Sequence, residues 1–314
     1  MRQRLAVVGA ASLLLMQACN GGLEFPAAAT LTPLPPPTSI QPTETPPVIH
    51  TPTAIPSPLP SETPEPTFTP SALGEPILFQ AEDGHQLTGY FYASWKPSAP
   101  VIVLMHQFGS EQRAWAGTGL IPWLGNWRAA SGTPFPYIGP DSLPEMPPDL
   151  SFAVFTFDFR GHGQSAPVEN ADDLPAHRNE YLMDAKAAFA AARAMPGVDP
   201  NRVILIGASI GADAAVDACT EGCVGAFSVS PGSWLGMDFG ETVRILLERG
   251  VEIRCVLAEL DSPSPETCRS VREQEGYQIH AYGGKKHGMD FFIPRKAEPR
   301  FGEYLLGFLQ GCVQ

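Results

Sequence analysis

Basic charge is scarce in this 314-residue chain: 20 Lys and Arg stand against 33 Asp and Glu, a formal net charge of −13 at pH 7. A field of that sign repels phosphate backbones and anionic headgroups, which excludes nucleic acid as a partner. The N-terminal apolar stretch Leu5–Met16 is only twelve residues, short of the roughly twenty that a helix needs to cross a bilayer. No internal repeat is visible. No dense cluster of His, Asp and Glu points to a metal or an organic cofactor, and no histidine lies at ligand spacing from the cysteines. Proline, by contrast, is abundant and unevenly placed. Of 34 prolines, 15 fall between Pro26 and Pro70, interleaved with Thr, Ser and Ala. Such a segment cannot bury enough apolar surface to offset its ordering entropy.

The chain therefore divides into three. Residues 1–19 read as an export signal, with Arg2 and Arg4 ahead of the apolar run. The run ends in L-M-Q-A-C, which resembles the bacterial lipoprotein signal, where the cysteine is lipidated and becomes the mature N-terminus. The resemblance implies a lipid anchor at Cys19 and a bacterial protein held at a membrane or cell surface. The alternative is secretion with cleavage nearby. Residues 20–73 read as a disordered Pro/Thr-rich linker, stiff and extended at about 3.1 Å per residue, that would hold a folded domain away from the membrane. Residues 74–314 keep 29 acidic and 18 basic side chains, and their number suits one α/β domain with a substantial core. The other cysteines are Cys219, Cys223, Cys255, Cys268 and Cys312. With Cys19 lipidated, at least one of these five stays free. Cys219 and Cys223, four apart across a helix end, could pair in an oxidising compartment; the remaining connectivity is not readable.

Short runs of Val, Ile, Leu and Phe at Val101–Met105, Phe152–Phe157, Val203–Ile206, Ala226–Val229 and Ile253–Leu257 predict parallel strands covered on both faces. Leu182, Ala185, Phe189 and Ala192 recur at helical steps between them. Ile77–Gln80 and Leu87–Ala93 flank A-E-D-G-H and predict an antiparallel hairpin, and a last helix is expected over Arg300–Leu309. The alternation predicts a doubly wound, mostly parallel α/β sheet with helices on both faces.

After Val203–Ile206 comes G-A-S-I-G, Gly207–Gly211, and then the small-residue helix A-D-A-A-V-D-A. Strand, sharp turn and helix form the context in which G-x-S-x-G becomes a nucleophile elbow. The turn lifts the Ser209 hydroxyl above the sheet edge and puts the Ile210 amide at a helix N-terminus, where negative charge is favoured. A serine hydroxyl needs a base to take its proton and a carboxylate to orient that base. Only His280 and His287 follow Ser209. His280 falls inside the strand-like Y-Q-I-H-A-Y, a packing position, whereas His287 lies in the loop G-G-K-K-H-G-M-D, so His287 is expected to be the base. Glu259, Asp261 and Glu266 follow the strand Ile253–Leu257, and A-E-L-D-S-P sets Asp261 at the start of the loop, free to reach an imidazole. Asp290 is expected to be a loop or cap residue. The second oxyanion donor should come from H-Q-F-G-S, through the amide of Phe108 or Gln107, with His106 bracing that loop.

With D-F-R-G-H-G-Q-S at Asp158–Ser165 and V-I-V-L-M-H-Q-F-G before it, the chain over about 75–314 resembles the α/β-hydrolase family, on the side of the dienelactone-hydrolase-like and small esterase members. The resemblance implies an α/β-hydrolase sheet, a triad of Ser209, Asp261 and His287, and an oxyanion hole from the Phe108 and Ile210 amides. Gln107 stands where the family has glycine, which could reshape that loop or offer a side-chain donor. Only Pro231–Gly250 occupies the usual lid position, enough for about one helix. The Pro-rich piece Ser131–Leu150, with Phe135 and Tyr137, is a candidate pocket rim or a stiffened surface loop. Trp115, Trp123 and Trp127 are expected to pack the helix after the oxyanion loop. The expected activity is hydrolysis of a small carboxylic ester through an acyl-enzyme, without metal or cofactor. The alternatives are a peptidase similar to prolyl oligopeptidase, which would have a gating domain, and a catalytically silent surface binding module.

Overall fold

The computed structural model describes residue 71 and residues 73–131 and 143–314. The export signal, Cys19 and the linker through residue 70, together with Phe135 and Tyr137, lie outside the described residues.

Eight strands form one sheet: β1 (Glu75–Gln80), β2 (Gln86–Tyr92), β3 (Ala99–Met105), β4 (Ala153–Phe157), β5 (Val198–Ala208), β6 (Cys223–Val229), β7 (Glu252–Ala258) and β8 (Tyr277–Tyr282). Their spatial order is β1-β2-β4-β3-β5-β6-β7-β8. β1 and β2 form the expected antiparallel hairpin, β2 runs antiparallel to β4, and every other pair is parallel. The helices are α1 (Arg113–Ala116), α2 (Leu120–Leu124), α3 (Trp127–Ser131), α4 (Arg178–Arg193), α5 (Ile210–Asp217), α6 (Phe239–Glu248), α7 (Ser264–Cys268) and α8 (Phe301–Val313).

The unbroken apolar strands are explained by two cores. Successive side chains of a strand point to opposite faces. Val101, Val103 and Met105 of β3 and Val203 and Leu205 of β5 therefore meet Ala185, Ala188 and Phe189 of α4 and Ala214 and Ala215 of α5. Ile102, Leu104, Ile204 and Ile206 enter the other core, against Trp115, Leu124, Trp127 and, from α8, Leu305 and Phe308. Both faces are covered, so polar alternation is absent, and the sheet is doubly wound as expected.

The sequence suggested one Trp-bearing helix after β3, and here the structure differs. Three short helices stand there instead, interrupted at Gly117, Gly119 (φ 69°) and Gly125. Trp115 and Trp127 are buried and Trp123 half-buried, its indole N–H donating to the Pro144 carbonyl at 2.7 Å, so the packing role stands. Between β6 and β7 the one helix is α6, capped by the Asp238 carboxylate, which accepts the Glu241 N–H at 2.9 Å.

The cysteine pairing also emerges. Cys219 bonds Cys223 across the end of α5, Cys255 in β7 bonds Cys268 in α7, and Cys312 is free.

Candidate active site

The centre of the sheet ends in the elbow. Ser209 follows β5 directly and precedes α5, with φ 55° and ψ −115°, a backbone conformation that costs about 1–3 kcal/mol for a residue with a side chain. Its own N–H donates to the Val229 carbonyl at 2.9 Å, which ties the turn to β6. The glycines are sterically required: a Cβ on Gly207 would overlap the Gly211 carbonyl, and one on Gly211 would overlap the Met105 carbonyl. Small residues let strand, turn and helix close on one another.

Asp261 lies just past β7, its N–H bonded to the Ala258 carbonyl and its Oδ2 accepting the Ser264 hydroxyl at 3.2 Å. His287 follows β8 across the loop Gly283–Lys286. Its Nδ1 is 2.9 and 3.0 Å from Asp261 Oδ1 and Oδ2, and its Nε2 is 2.8 Å from Ser209 Oγ. A carboxylate only accepts, so Nδ1 carries the proton and the Nε2 lone pair faces the hydroxyl. The Asp261 side chain is 10% exposed while that of His287 is 36% exposed. The carboxylate is thus sheltered while the imidazole stays reachable. The Trp234 ring stands edge-on to His287, with centroids 5.9 Å apart. The structure brings Ser209, Asp261 and His287 into one hydrogen-bonded relay.

The rejected candidates have other partners. Glu259 pairs at the surface with Arg269, whose guanidinium holds its carboxyl below the usual range. Asp290 pairs with Lys296 at 2.7 Å. His280 stacks on Tyr304 of α8 at 3.7 Å, and burial lowers its pKa to about 4.

Ile210 opens α5, and Phe108 sits in the loop after β3. Among the described residues neither backbone N–H donates to a protein acceptor. That loop is braced from below. His106 is fully buried, donates from Nδ1 to the Gln107 carbonyl at 2.8 Å, and accepts the Phe159 N–H at Nε2 at 3.1 Å. Burial pushes its pKa down to about 3, so the ring is neutral and structural. Asp158 accepts the N–H groups of Gln112 (2.7 Å) and Gln164 (2.9 Å), and burial raises its pKa. His162 donates from Nδ1 to the Arg160 carbonyl and accepts the Gly109 N–H at 3.1 Å. The turn Asp158–Ser165 therefore holds the Phe108 loop in place, a role that no sequence spacing announced. An open groove of about 560 Å³ runs between the two, lined by Phe108, Ser110, Glu111, His162 and Asp172. Among the described residues no group of three or more His, Cys, Asp or Glu is arranged to hold a metal ion.

The Gln107 side chain turns toward the His287 loop, where its Oε1 accepts the Met289 N–H at 2.8 Å. Ser230, at the end of β6, accepts the Gly288 N–H at 3.0 Å. Sequence reasoning did not find Ser230, and its only local signal is a serine ending a buried strand.

No protein-family model matches the chain. The protein YfhR of Salmonella typhi, named only as an uncharacterized protein, is 29% identical over 157 residues, which cover 48% of this chain and 43% of that protein. The chain's match thus spans less than half the length of the curated relatives. Among solved structures, the α/β hydrolase GrgF of Penicillium sp. sh18 aligns with a TM-score of 0.53 at 14% identity, over 75% of this chain and 97% of that one. The esterase Pf2001 of Pyrococcus furiosus aligns with a TM-score of 0.51 at 14% identity, over 76% and 91%. At such identities the likeness shows the α/β-hydrolase fold.

Proposed function

We propose that this chain, on its α/β-hydrolase fold, is a serine hydrolase of small carboxylic esters, exported and held at a membrane by lipid on Cys19. The observation that carries the reading is the relay from Ser209 Oγ through His287 to Asp261. Ser209 Oγ attacks the ester carbonyl and passes its proton to His287 Nε2. The oxygen that gains charge would meet the N–H groups of Ile210 and Phe108, neither of which donates to a protein acceptor among the described residues. Collapse of the tetrahedral intermediate expels the alcohol, which takes the proton from Nε2 and leaves an acyl-serine. A water then gives a proton to Nε2 and attacks the acyl carbon; collapse returns the proton to Ser209 and releases the acid. Asp261 keeps Nδ1 protonated and stabilises the imidazolium formed in each half.

The groove beside Phe108 offers room for one half of a small ester. Two disulfides in the domain support an oxidising compartment outside the cytoplasm. The domain plan of signal, tether from 20 to 73 and catalytic domain from 74 belongs to the same reading.

The test is intact-mass analysis of the full chain after exposure to a fluorophosphonate. One adduct per chain is expected on the wild type, none on Ser209→Ala, and a sharply slower reaction on His287→Ala. A folded wild-type chain that takes no adduct would sink the hydrolase reading and leave a surface binding module. For the anchor, Cys19→Ser should move the protein from the membrane fraction to the soluble fraction of a bacterial host; an unchanged distribution would point to secretion without lipid.

A further inference from the structure

His287 ends an extended stretch (φ −129°, ψ 137°), and Gly288–Phe291 then forms a 3-10 turn. The first N–H groups of a helical turn have no acceptor within it, and the side chain of the preceding residue commonly supplies one. That residue is His287, whose two ring nitrogens are occupied by Asp261 and Ser209. The acceptors come from two other strand ends. Ser230 Oγ takes the Gly288 N–H at 3.0 Å, and Gln107 Oε1 takes the Met289 N–H at 2.8 Å.

We propose that Gln107 and Ser230 are positioning residues for His287, with Gln107 acting through its carbonyl oxygen as an acceptor and not as a donor to the oxyanion. The inference rests on the serine-hydrolase reading of the same site. A backbone N–H can only donate, so the atom that faces Met289 is the oxygen. Both anchors are themselves fixed. Gln107 stands two residues past β3, and its own carbonyl accepts from the buried His106. Ser230 is fully buried, at φ 55°, with its N–H on the Val256 carbonyl at 2.8 Å. Gly288 has φ 52°, and a Cβ there would overlap the Gln107 carboxamide, so the loop closes over Gln107 only with glycine at that position. The far side of the turn is secured by burial of Met289, Phe291 and Phe292 in the core. The base is thus held from its C-terminal side by two hydrogen bonds while Asp261 holds the ring.

If these bonds keep Nε2 at 2.8 Å from Ser209 Oγ, losing one should lower kcat with little change in KM, since a displacement of about 1 Å costs on the order of 10²-fold. The experiment compares full-length wild type, Gln107→Met, Gln107→Glu and Ser230→Ala. It reads kcat and KM on p-nitrophenyl acetate across pH, the fluorophosphonate rate, and folding by circular dichroism. Met keeps the length of Gln but loses the acceptor; Glu keeps the acceptor and loses the amide donor. Gln107→Met and Ser230→Ala should lose on the order of tenfold to 10²-fold in kcat. Gln107→Glu should approach wild type on the alkaline plateau, with its acid limb moved to higher pH because a carboxylate near the imidazole favours its protonated form. A wild type that takes no probe would fail the hydrolase reading itself. A reactive wild type beside fully active Gln107→Met and Ser230→Ala would overturn the positioning role alone. Gln107→Glu as slow as Gln107→Met on the plateau would assign Gln107 to oxyanion donation instead. Should Gln107→Met fail to fold, Ser230→Ala and Gln107→Glu carry the same comparison.

Discussion

Breaking the Cys255–Cys268 disulfide should cost this domain more than breaking Cys219–Cys223, and the difference follows from loop length. The first bridge closes a separation of 13 residues and the second a separation of 4. With the chain-entropy relation for a cross-linked unfolded state, these correspond to about 3 and about 2 kcal/mol at 25 °C. Against a total stability of about 5–15 kcal/mol for a typical domain, the larger is a substantial share. The assay is urea unfolding of the full chain followed by circular dichroism, with and without a phosphine reductant, in a Cys219→Ala/Cys223→Ala background that isolates one bridge. A further Cys255→Ala/Cys268→Ala variant should be insensitive to the reductant. Asp261 lies inside the 13-residue closure, so the reduced protein should also lose ester hydrolysis at temperatures below its unfolding transition. A drop under about 1 kcal/mol on reduction in that background would refute the loop-closure reasoning. Full activity of the reduced, folded protein would refute the claim that the closure holds the acid in place.

Asp261→Asn should leave the fold intact and lower kcat by about 10⁴-fold, because an amide at that position stabilises the wrong imidazole tautomer; steady-state kinetics beside a thermal melt check it. His106, with its pKa pushed down to about 3 by burial, stays neutral in the fold while the unfolded imidazole titrates near 6.5. Its contribution to stability is therefore complete above pH 6.5 and is lost as pH falls toward 3. Between about pH 6 and pH 4 the slope should be roughly 1.4 kcal/mol per pH unit, and unfolding free energies of wild type and His106→Gln across that range should converge as pH falls.

Much of this site was legible in the sequence because its chemistry constrains local pattern. The elbow shows as a strand, three small residues around Ser209 and an Ala-rich helix; the places of Asp261 and His287, the proposed acid and base, show because each follows a strand and leaves the sheet edge. The tethers were not legible. The bond from Gln107 to the Met289 amide joins positions 182 residues apart, and nothing periodic marks an amide that will need an acceptor. The brace from His162 to Gly109 escaped for the same reason, and three helices replaced one after β3 because glycine breaks compete with an apolar helical pattern. The pairing of Cys255 with Cys268 needed the fold, since only the return of α7 to β7 brings the two sulfurs together.

Strand order gives the relay an unequal footing. Ser209 follows β5, flanked by β3 and β6, while Asp261 follows β7 and His287 follows β8, which has a neighbour on one side only. Outer strands exchange their amide hydrogens sooner and fluctuate more than central ones. His287, which follows the outer strand, is therefore the one of the three expected to fluctuate most, whereas Asp261 follows β7, flanked by β6 and β8. On the proposed reading, the bonds from Gln107, just past β3, and Ser230, just past β6, to the Met289 and Gly288 amides would tether the His287 loop to the middle of the sheet.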